Sequence, residues 1–572
     1  MLIGLRMRIP LTVDVNGERD SMTDFVRADA ARLTSRKYDI VVVGGGINGV
    51  AIARDAAQRG LSVALVERGD FAVGTSSWNS RLIHGGLRYL EHGEIPLVYE
   101  SLHDRECLLR IAPHLVEPLA FVVPLYKHNH LPGWMFRIGM ILYDVLSFNK
   151  SVPTHRGLGR KQVAAELPGL DKRGLSGAVH YYDGQVEFPE RLVLETAISA
   201  QRWGADVVNY VEATGITHDD SGVTGVTARD TLTGEEFTIS ASSVVNAAGP
   251  WVDLLGEELG MKRQIGGTTG THFVVDPFPG APDSCIYFEA RADNRPILVI
   301  PWNGRYLIGT TDDRFEGDAS TVRGTDAEVD YLLRETNLLI PEANLTADDI
   351  LLTYTGVRPL PYRPGVKAGA IPRSHLILAD DRIHGLVTIV GGKLTPHLSL
   401  GQQTVDKVGE VLGRQLPKSR TARSPLPGAY TTKWAAKSLA ASKLRARLPW
   451  SETINERLVD VYGGLVSGIV DVYESDERYR AVFGEGRGAI TAAEVVYAIR
   501  SEGALTLVDI LHRRSMVGLE PAMGTDVERP VAELAATVAG WDEARVAAEL
   551  AAHREYITRL QGGVPHPRLV DA

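Results

Sequence analysis

Residues 38–67 read YDIVVVGGGINGVAIARDAAQRGLSVALVE, and no other stretch restricts the fold of this chain so tightly. The β-branched run of residues 38–43 has the composition of a buried parallel strand. Gly44, Gly46 and Gly49 follow in G-x-G-x-x-G spacing, and the residues after them carry apolar side chains at helical intervals. In such a turn the first glycine permits a tight reversal, the second lets the backbone approach a pyrophosphate, and the third lets helix and strand pack closely. The helix that starts there aims unpaired N–H groups and its positive dipole end at the same pyrophosphate. A second strand, SVALVE, ends on Glu67, 18 residues beyond Gly49, where a carboxylate can accept hydrogen bonds from ribose hydroxyls. Glycine spacing alone is a weak signal. Strand, glycines, helix, strand and terminal acid together predict a βαβ unit that binds a dinucleotide, and they do not separate FAD from NAD.

Three later stretches lean towards FAD. Residues 74–86, GTSSWNSRLIHGG, follow the second strand and are rich in glycines and small hydroxylated residues, which let backbone and hydroxyl groups reach a ribityl chain or flavin ring. Residues 242–253, SSVVNAAGPWVD, read as a strand ending in small residues before a helix start, a composition that suits a dinucleotide passing close to the backbone. Residues 385–408, GLVTIVGGKLTPHLSLGQQTVDKV, are another strand, glycine pair and helix, whose N-terminus suits negative charge on a reduced flavin. Each alone is an ordinary Gly-rich turn; in one chain they point to a flavoprotein. The candidate cofactor residues are Gly44, Gly46, Asn48 and Gly49 in the first turn, and Glu67 and Arg68 at the end of the second strand. Thr75, Ser76, Ser80, His84, Gly85 and Gly86 follow, then Ala248 and Gly249, then Gly392, Lys393, Leu394 and Thr395.

A chain of 572 residues exceeds one ordinary domain. A formal net charge of −10 argues against non-specific nucleic-acid binding, and requires a local basic pocket for any anionic substrate. The two cysteines, Cys107 and Cys285, stand far apart without metal-like spacing, so no disulfide framework or zinc site is expected and a reducing cytosol fits. Residues 1–37 read as a poorly ordered arm without a signal-peptide core. No uncharged apolar run approaches the ~20 residues that span a bilayer. The nearest candidate is residues 131–148, LPGWMFRIGMILYDVLSF. As a helix it sets Arg137, Met140 and Asp144 on one narrow side and Trp134, Ile138, Ile141 and Val145 on another. That pattern fits a helix lying in a membrane interface and, equally, a buried helix with one exposed stripe.

The resulting division has an arm over 1–37, a discontinuous FAD-binding domain over 38–412, a linker over 413–432 and a helical C-terminal domain over 433–572. Residues 417–432, PKSRTARSPLPGAYTT, have the character of an exposed connector. The helical end either covers the FAD domain or builds a dimer.

From about residue 38 to about residue 560 the chain resembles the FAD-dependent glycerol-3-phosphate dehydrogenases, respiratory enzymes of aerobic glycerol use. Residues 80–126, opening SRLIHGGLRYLEHGEIPLVYESLHDRECLLR, carry the resemblance furthest. VVNAAGPWVD, GTHFVV at 270–275, IGTTDD at 308–313, TGVRPL at 355–360, VGGKLT at 390–395 and EGALTLVDILHRRSMVGLE at 502–520 follow in family order. The resemblance implies an α/β FAD-binding domain of the glutathione-reductase-like Rossmann type in the D-amino-acid-oxidase superfamily. It further implies a mixed-sheet α+β substrate cap, inserted in the FAD-binding domain at roughly 111–177 and 261–349, and an all-α C-terminal domain. It implies a cytoplasmic enzyme held peripherally on the inner face of the cell membrane, which oxidises glycerol 3-phosphate and passes electrons to a membrane quinone.

Oxidising that secondary alcohol requires a base for the hydroxyl proton and an acceptor for the C2 hydride, and a phosphate dianion in a partly dry cleft requires charge-assisted partners. By resemblance Arg88, Arg358, Arg373 and Lys393 line the flavin and substrate pocket. Arg373 and Arg88 are expected on the phosphate, and Arg358 and Lys393 nearer the flavin and reacting carbon. A base working near neutral pH points to histidine. Of the 16 histidines, His272 and His84 lie inside family motifs, His272 as base or proton relay and His84 orienting substrate or flavin. Tyr89 adds a hydroxyl contact or packs as an aromatic. Thr310, Thr311 and Asp312 are expected only to shape a turn of the cap. Oxygen as acceptor, an amine or amino-acid substrate, and an inactive flavin scaffold are the competing readings.

Overall fold

A computed structural model describes residues 25–91, 93–148, 150–431 and 436–561, without the side chains of Arg88 and Glu91. The fold is built on a six-stranded sheet in the order Leu376–Ala379, Leu386–Val390, Val244–Asn246, Ile40–Val43, Val63–Glu67, Asp206–Asn209. Five of these strands run parallel; only the Leu376–Ala379 edge is antiparallel. The Ile40–Val43 strand is buried at every residue, as a two-sided parallel strand must be. The helix Ile47–Gln58 packs on the sheet between the helices Pro189–Arg202 and His397–Val411. Because the strands are parallel and in register, Gly44, Glu67, Ala247–Ala248 and Gly391–Gly392 emerge together at their carboxyl ends. Four glycine- or acid-bearing stretches, far apart in sequence, thereby meet at one edge, where open α/β sheets bind ligands.

A second, mixed sheet forms the cap. Its order is Asp313–Arg314, Thr268–Val275, Arg305–Gly309, Pro296–Trp302, Cys285–Glu289, Val116–Tyr126, Leu175–Val186 and Leu82–Ile83. Ile350–Arg358 adds to Thr268–Val275, and Arg156–Gly159 adds to Leu175–Val186. The sheet is wider than the ranges 111–177 and 261–349: Leu82–Ile83, most of Leu175–Val186 and Ile350–Arg358 lie outside them yet are paired within it. Residues 436–561 are helical apart from the two-residue pairing of Val482–Phe483 with Ile490–Thr491.

Two expectations are corrected, and one alternative left open by the sequence is decided. Residues 25–37 are not a loose arm: Phe25 is buried edge-on against Phe71 at 5.9 Å, Leu33 is buried, and Arg36 reaches the buried Asp206 at 2.7 Å. Residues 1–24 lie outside the described residues. The described part of the connector is not exposed throughout, because its carbonyls serve buried arginines. Arg59 donates to the Pro417 carbonyl at 2.6 Å and Arg54 to the Ser424 carbonyl at 2.6 Å, while Leu426 is buried. Finally, the helix Gly133–Leu146 turns Met140 and Tyr143 inward and shows its apolar side outward. Trp134 is 65% exposed, Ile138 57%, Ile141 56% and Val145 64%. Among the described residues no helix is long and apolar enough to cross a membrane.

Candidate active site

A cavity of about 800 Å³ opens over the carboxyl ends of the parallel strands and runs to the cap sheet. At its first end the three glycines do separate work. A Cβ on Gly49 would stand 1.8 Å from the Gly44 carbonyl oxygen, so only glycine allows the helix to cross the strand there. Gly44, at φ +109, lies against the Ala247 carbonyl, 2.6 Å from where a Cβ would sit. A Cβ on Gly46 would meet one side-chain atom within 4 Å, Ser76 Oγ at 3.3 Å. The helix Ile47–Gln58 has no side-chain cap from Gly46, and its Ile47 N–H donates to Ser76 Oγ at 3.0 Å. Glu67 accepts from Gly45 N at 2.6 Å and Gly69 N at 2.9 Å, and burial raises its pKa. Arg68 stacks 4.1 Å over the Trp251 ring. Asn48 Oδ1 is buried without a hydrogen-bond partner among the described residues. Open amide donors, a strand-end carboxylate and an orphaned amide oxygen fit a bound dinucleotide.

The other end of the cavity is cationic. Arg358, at the end of the strand Ile350–Arg358, donates to the Thr269 carbonyl at 2.5 Å, Asp312 Oδ1 at 3.2 Å and Thr310 Oγ1 at 3.0 Å. Arg373 reaches the other oxygen of Asp312 at 2.7 Å, and its backbone N–H donates to Glu94 at 3.1 Å. One carboxylate thus holds two guanidinium groups side by side. Lys393 Nζ sits 3.5 Å from the centre of the Tyr89 ring, buried and without a hydrogen-bond partner among the described residues. Burial holds its pKa well below the ordinary lysine value. Two arginines beside a desolvated lysine amine make a site for a small anion.

His84 lines the cavity beside them; its backbone N–H donates to Thr395 Oγ1 at 3.0 Å, and burial lowers its pKa. His272 lies one layer deeper. It is buried, stacked on Tyr354 with ring centres 5.1 Å apart, and its pKa is lowered to about 3 by burial and then by Arg358. Its Nε2 meets Ser80 Oγ at 2.8 Å, and Ser80 lines the cavity. His272 therefore addresses the cavity through a hydroxyl.

Of the sequence candidates, Gly44, Gly46, Asn48, Glu67, Arg68, Thr75, Ser76, Ser80, Gly86, Tyr89, Ala248, Gly249, Gly392, Leu394 and Thr395 line the cavity, together with His84, Arg358, Arg373 and Lys393. Gly49, Gly85 and His272 stand behind it. The Arg88 side chain lies outside the described structure, so its expected phosphate contact has no geometry here. Sequence reasoning missed two acids. Asp312 was given only a turn, yet it is the shared counter-ion of both arginines; Glu94 lines the cavity and takes the Arg373 amide. The signal for Asp312 was its place beside the end of a strand in TTDD.

Residues 39–398 match the family of FAD dependent oxidoreductases, and residues 419–546 match the C-terminal domain of alpha-glycerophosphate oxidase. The chain is 42% identical to a glycerol-3-phosphate dehydrogenase of Synechocystis over 539 residues, covering 91% of this chain and 96% of that one. It is 35% identical to glycerol-3-phosphate dehydrogenase 2 of Mycobacterium tuberculosis, covering 93% and 90%. The crystal structure of a Bacillus halodurans glycerol-3-phosphate dehydrogenase complexed with FAD superposes with a TM-score of 0.77 at 29% identity, over 94% of this chain and 97% of that one.

Proposed function

The chain belongs to the FAD-dependent oxidoreductase family and has FAD as its cofactor, and on that footing we propose that it oxidises sn-glycerol 3-phosphate to dihydroxyacetone phosphate, with a respiratory quinone as final acceptor. One observation carries the reading: Arg358, Arg373 and Lys393 line one end of a cavity whose other end is built for a dinucleotide. Bound FAD supplies an acceptor for the hydride leaving C2 of the alcohol. The chain supplies the rest. Arg373 holds the phosphate, joined in this reading by Arg88. Arg358, fixed by Asp312 and the Thr269 carbonyl, presents a rigid fork towards the reacting carbon. The dianion's charge opposes the desolvation of Lys393 and so favours its ammonium form. His272 is neutral at working pH and can accept a proton at Nε2. Ser80 then donates to His272 and takes the substrate's hydroxyl proton, leaving a ketone. His84 orients the substrate from the opposite turn.

Anaerobic addition of glycerol 3-phosphate to the purified holoprotein should bleach the flavin's visible absorbance. Bleaching by amino acids and not by the phosphorylated alcohol would refute the substrate. Reoxidation by a ubiquinone or menaquinone analogue, faster than by dissolved oxygen and without peroxide release, is expected of the quinone acceptor; the reverse order makes the protein an oxidase. The outward apolar side of the helix Gly133–Leu146 supports attachment to the inner face of the cell membrane, where the quinone resides.

A further inference from the structure

We infer that Arg513 and Arg514 of the C-terminal domain are positioning residues for the FAD site: by gripping Asp70 they fix segment 67–72, and through it the acid and glycine turn that take the adenosine half of the cofactor. Asp70 stands three residues beyond Glu67, is buried, and does not line the cavity. It accepts from Arg513 Nε at 2.7 Å and from Arg514 Nη1 and Nη2 at 2.7 and 2.9 Å, across a sequence separation of more than 440 residues. Both arginines come from Asp509–Arg514, one turn of π-helix, a widened geometry found mostly at functional sites. The charges balance within the cluster, since Arg513 also meets Asp509 at 2.5 Å. Asp509 in turn accepts from the Tyr210 hydroxyl at 2.8 Å, and the Tyr210 N–H donates to the Gly69 carbonyl at 2.8 Å. From this grip the chain runs both ways into the cofactor site. Backwards, the Gly69 N–H donates to Glu67 at 2.9 Å. Forwards, the Phe71 ring closes on Gly45, 2.8 Å from where a Cβ would stand, and the Ala72 N–H donates to the Gly45 carbonyl at 3.2 Å. Gly45 N is the second donor to Glu67. Of the two donors that orient the acid, Gly69 is thus next to the arginine-held Asp70, and Gly45 is held by the two residues that follow Asp70. A C-terminal domain that merely covered the FAD domain would need no such grip at this place.

The test uses FAD alone and does not depend on the substrate reading. Arg514→Lys keeps a charge but loses the fork. It should raise the Kd for FAD about tenfold or more, a loss of ~1.4 kcal/mol, read by flavin fluorescence as cofactor is released on dilution. At saturating FAD its turnover should be close to that of the parent. Arg457→Lys breaks an equally buried fork, on Glu494 at 2.8 and 2.7 Å within the C-terminal domain, and loses the bond to the Ser515 carbonyl at 3.1 Å beside Arg514, while touching neither Asp70 nor segment 67–72. It should lower thermal stability and leave the FAD Kd within about twofold, since it loses the same kind of contact elsewhere. An Arg514→Lys Kd unchanged within twofold, or an Arg457→Lys Kd raised as far, overturns the inference. Should Arg514→Lys give no folded protein, Asp70→Asn, which keeps the shape and removes the charge, carries the same decision on the same scale.

Discussion

At the scale of single residues, the cationic end of the cavity owes its order to Asp312. Two guanidinium groups set side by side repel, and a carboxylate buried between them turns the repulsion into a fixed pair of forks. Arg373, held by one oxygen of that carboxylate and a single long contact to the Ala368 carbonyl at 3.5 Å, where Arg358 is held by the Thr269 and Thr311 carbonyls at 2.5 and 3.1 Å, has the freer fork for phosphate. Arg373→Ala should leave FAD in place and raise KM about 30- to 150-fold, the loss of ~2–3 kcal/mol expected for one charge-assisted contact; unchanged kinetics would remove Arg373 from the site. His272→Ala should slow flavin reduction more than it raises KM. An unaltered rate of flavin reduction would strike His272 from the proton path. The basic residues were legible because each sits in a motif of its own. Their acid was not, because Asp312 reaches partners 46 and 61 positions away that only the folded cap brings to it.

At the scale of elements, the strand Thr268–Val275 joins cap to site. Its Gly270 lies against Arg358, with Nη2 only 2.3 Å from where a Cβ would stand. Gly270→Ala should therefore push the guanidinium out of its fork without disturbing FAD, raising KM at least about tenfold; flavin spectra and steady-state kinetics on one preparation separate the two effects. The helix Gly133–Leu146 carries a different expectation. Replacing Ile138 and Val145 together by Glu should abolish flotation with anionic vesicles while turnover with a soluble dye persists, because both side chains point away from the core. Retained flotation would place any membrane contact elsewhere. The first βαβ unit was readable from residues 38–67 because its constraints are local: a turn, a close crossing and a terminal acid. The cap was readable in kind but not in extent. Leu82–Ile83 and Ile350–Arg358 join its sheet through partners between 75 and 103 residues away, and periodicity records no partner. The apolar helix was ambiguous for a related reason, since a stripe of side chains does not say which of its two sides meets the core.

For the whole molecule, the N-terminal residues, the FAD domain and the C-terminal helices close on one another through buried charge, which composition could not reveal. Arg191 on the helix Pro189–Arg202 forks onto Glu502 at 2.8 Å, both fully buried, and Phe25 ties its backbone to Ser501 at 3.2 Å. Buried titratable groups elsewhere in the fold make the protein's stability depend on pH. Burial also keeps four histidines neutral: His84, His272, His397 and His512 all have pKa values lowered from 6.5, first by desolvation, and His272 to about 3. An unfolded chain protonates these groups near the ordinary value, whereas the folded chain resists until the pH is lower. Below 6.5 the unfolded state therefore binds more protons, so stability falls as pH falls from there towards 3. Asp70, held ionised by Arg514 and Arg513 with a depressed pKa, acts in the same direction once the pH drops below the ordinary carboxylate range. The unfolding midpoint should accordingly be nearly level between about pH 7 and 8 and fall steeply below about pH 6, with flavin release following the same curve because Asp70 and Glu67, the acid proposed for the adenosine ribose, share one segment. Circular dichroism melts and flavin fluorescence recorded across that range check both halves. A midpoint level down to pH 5 would mean that the histidines take up protons without opening the fold, and their burial would then have no part in its stability.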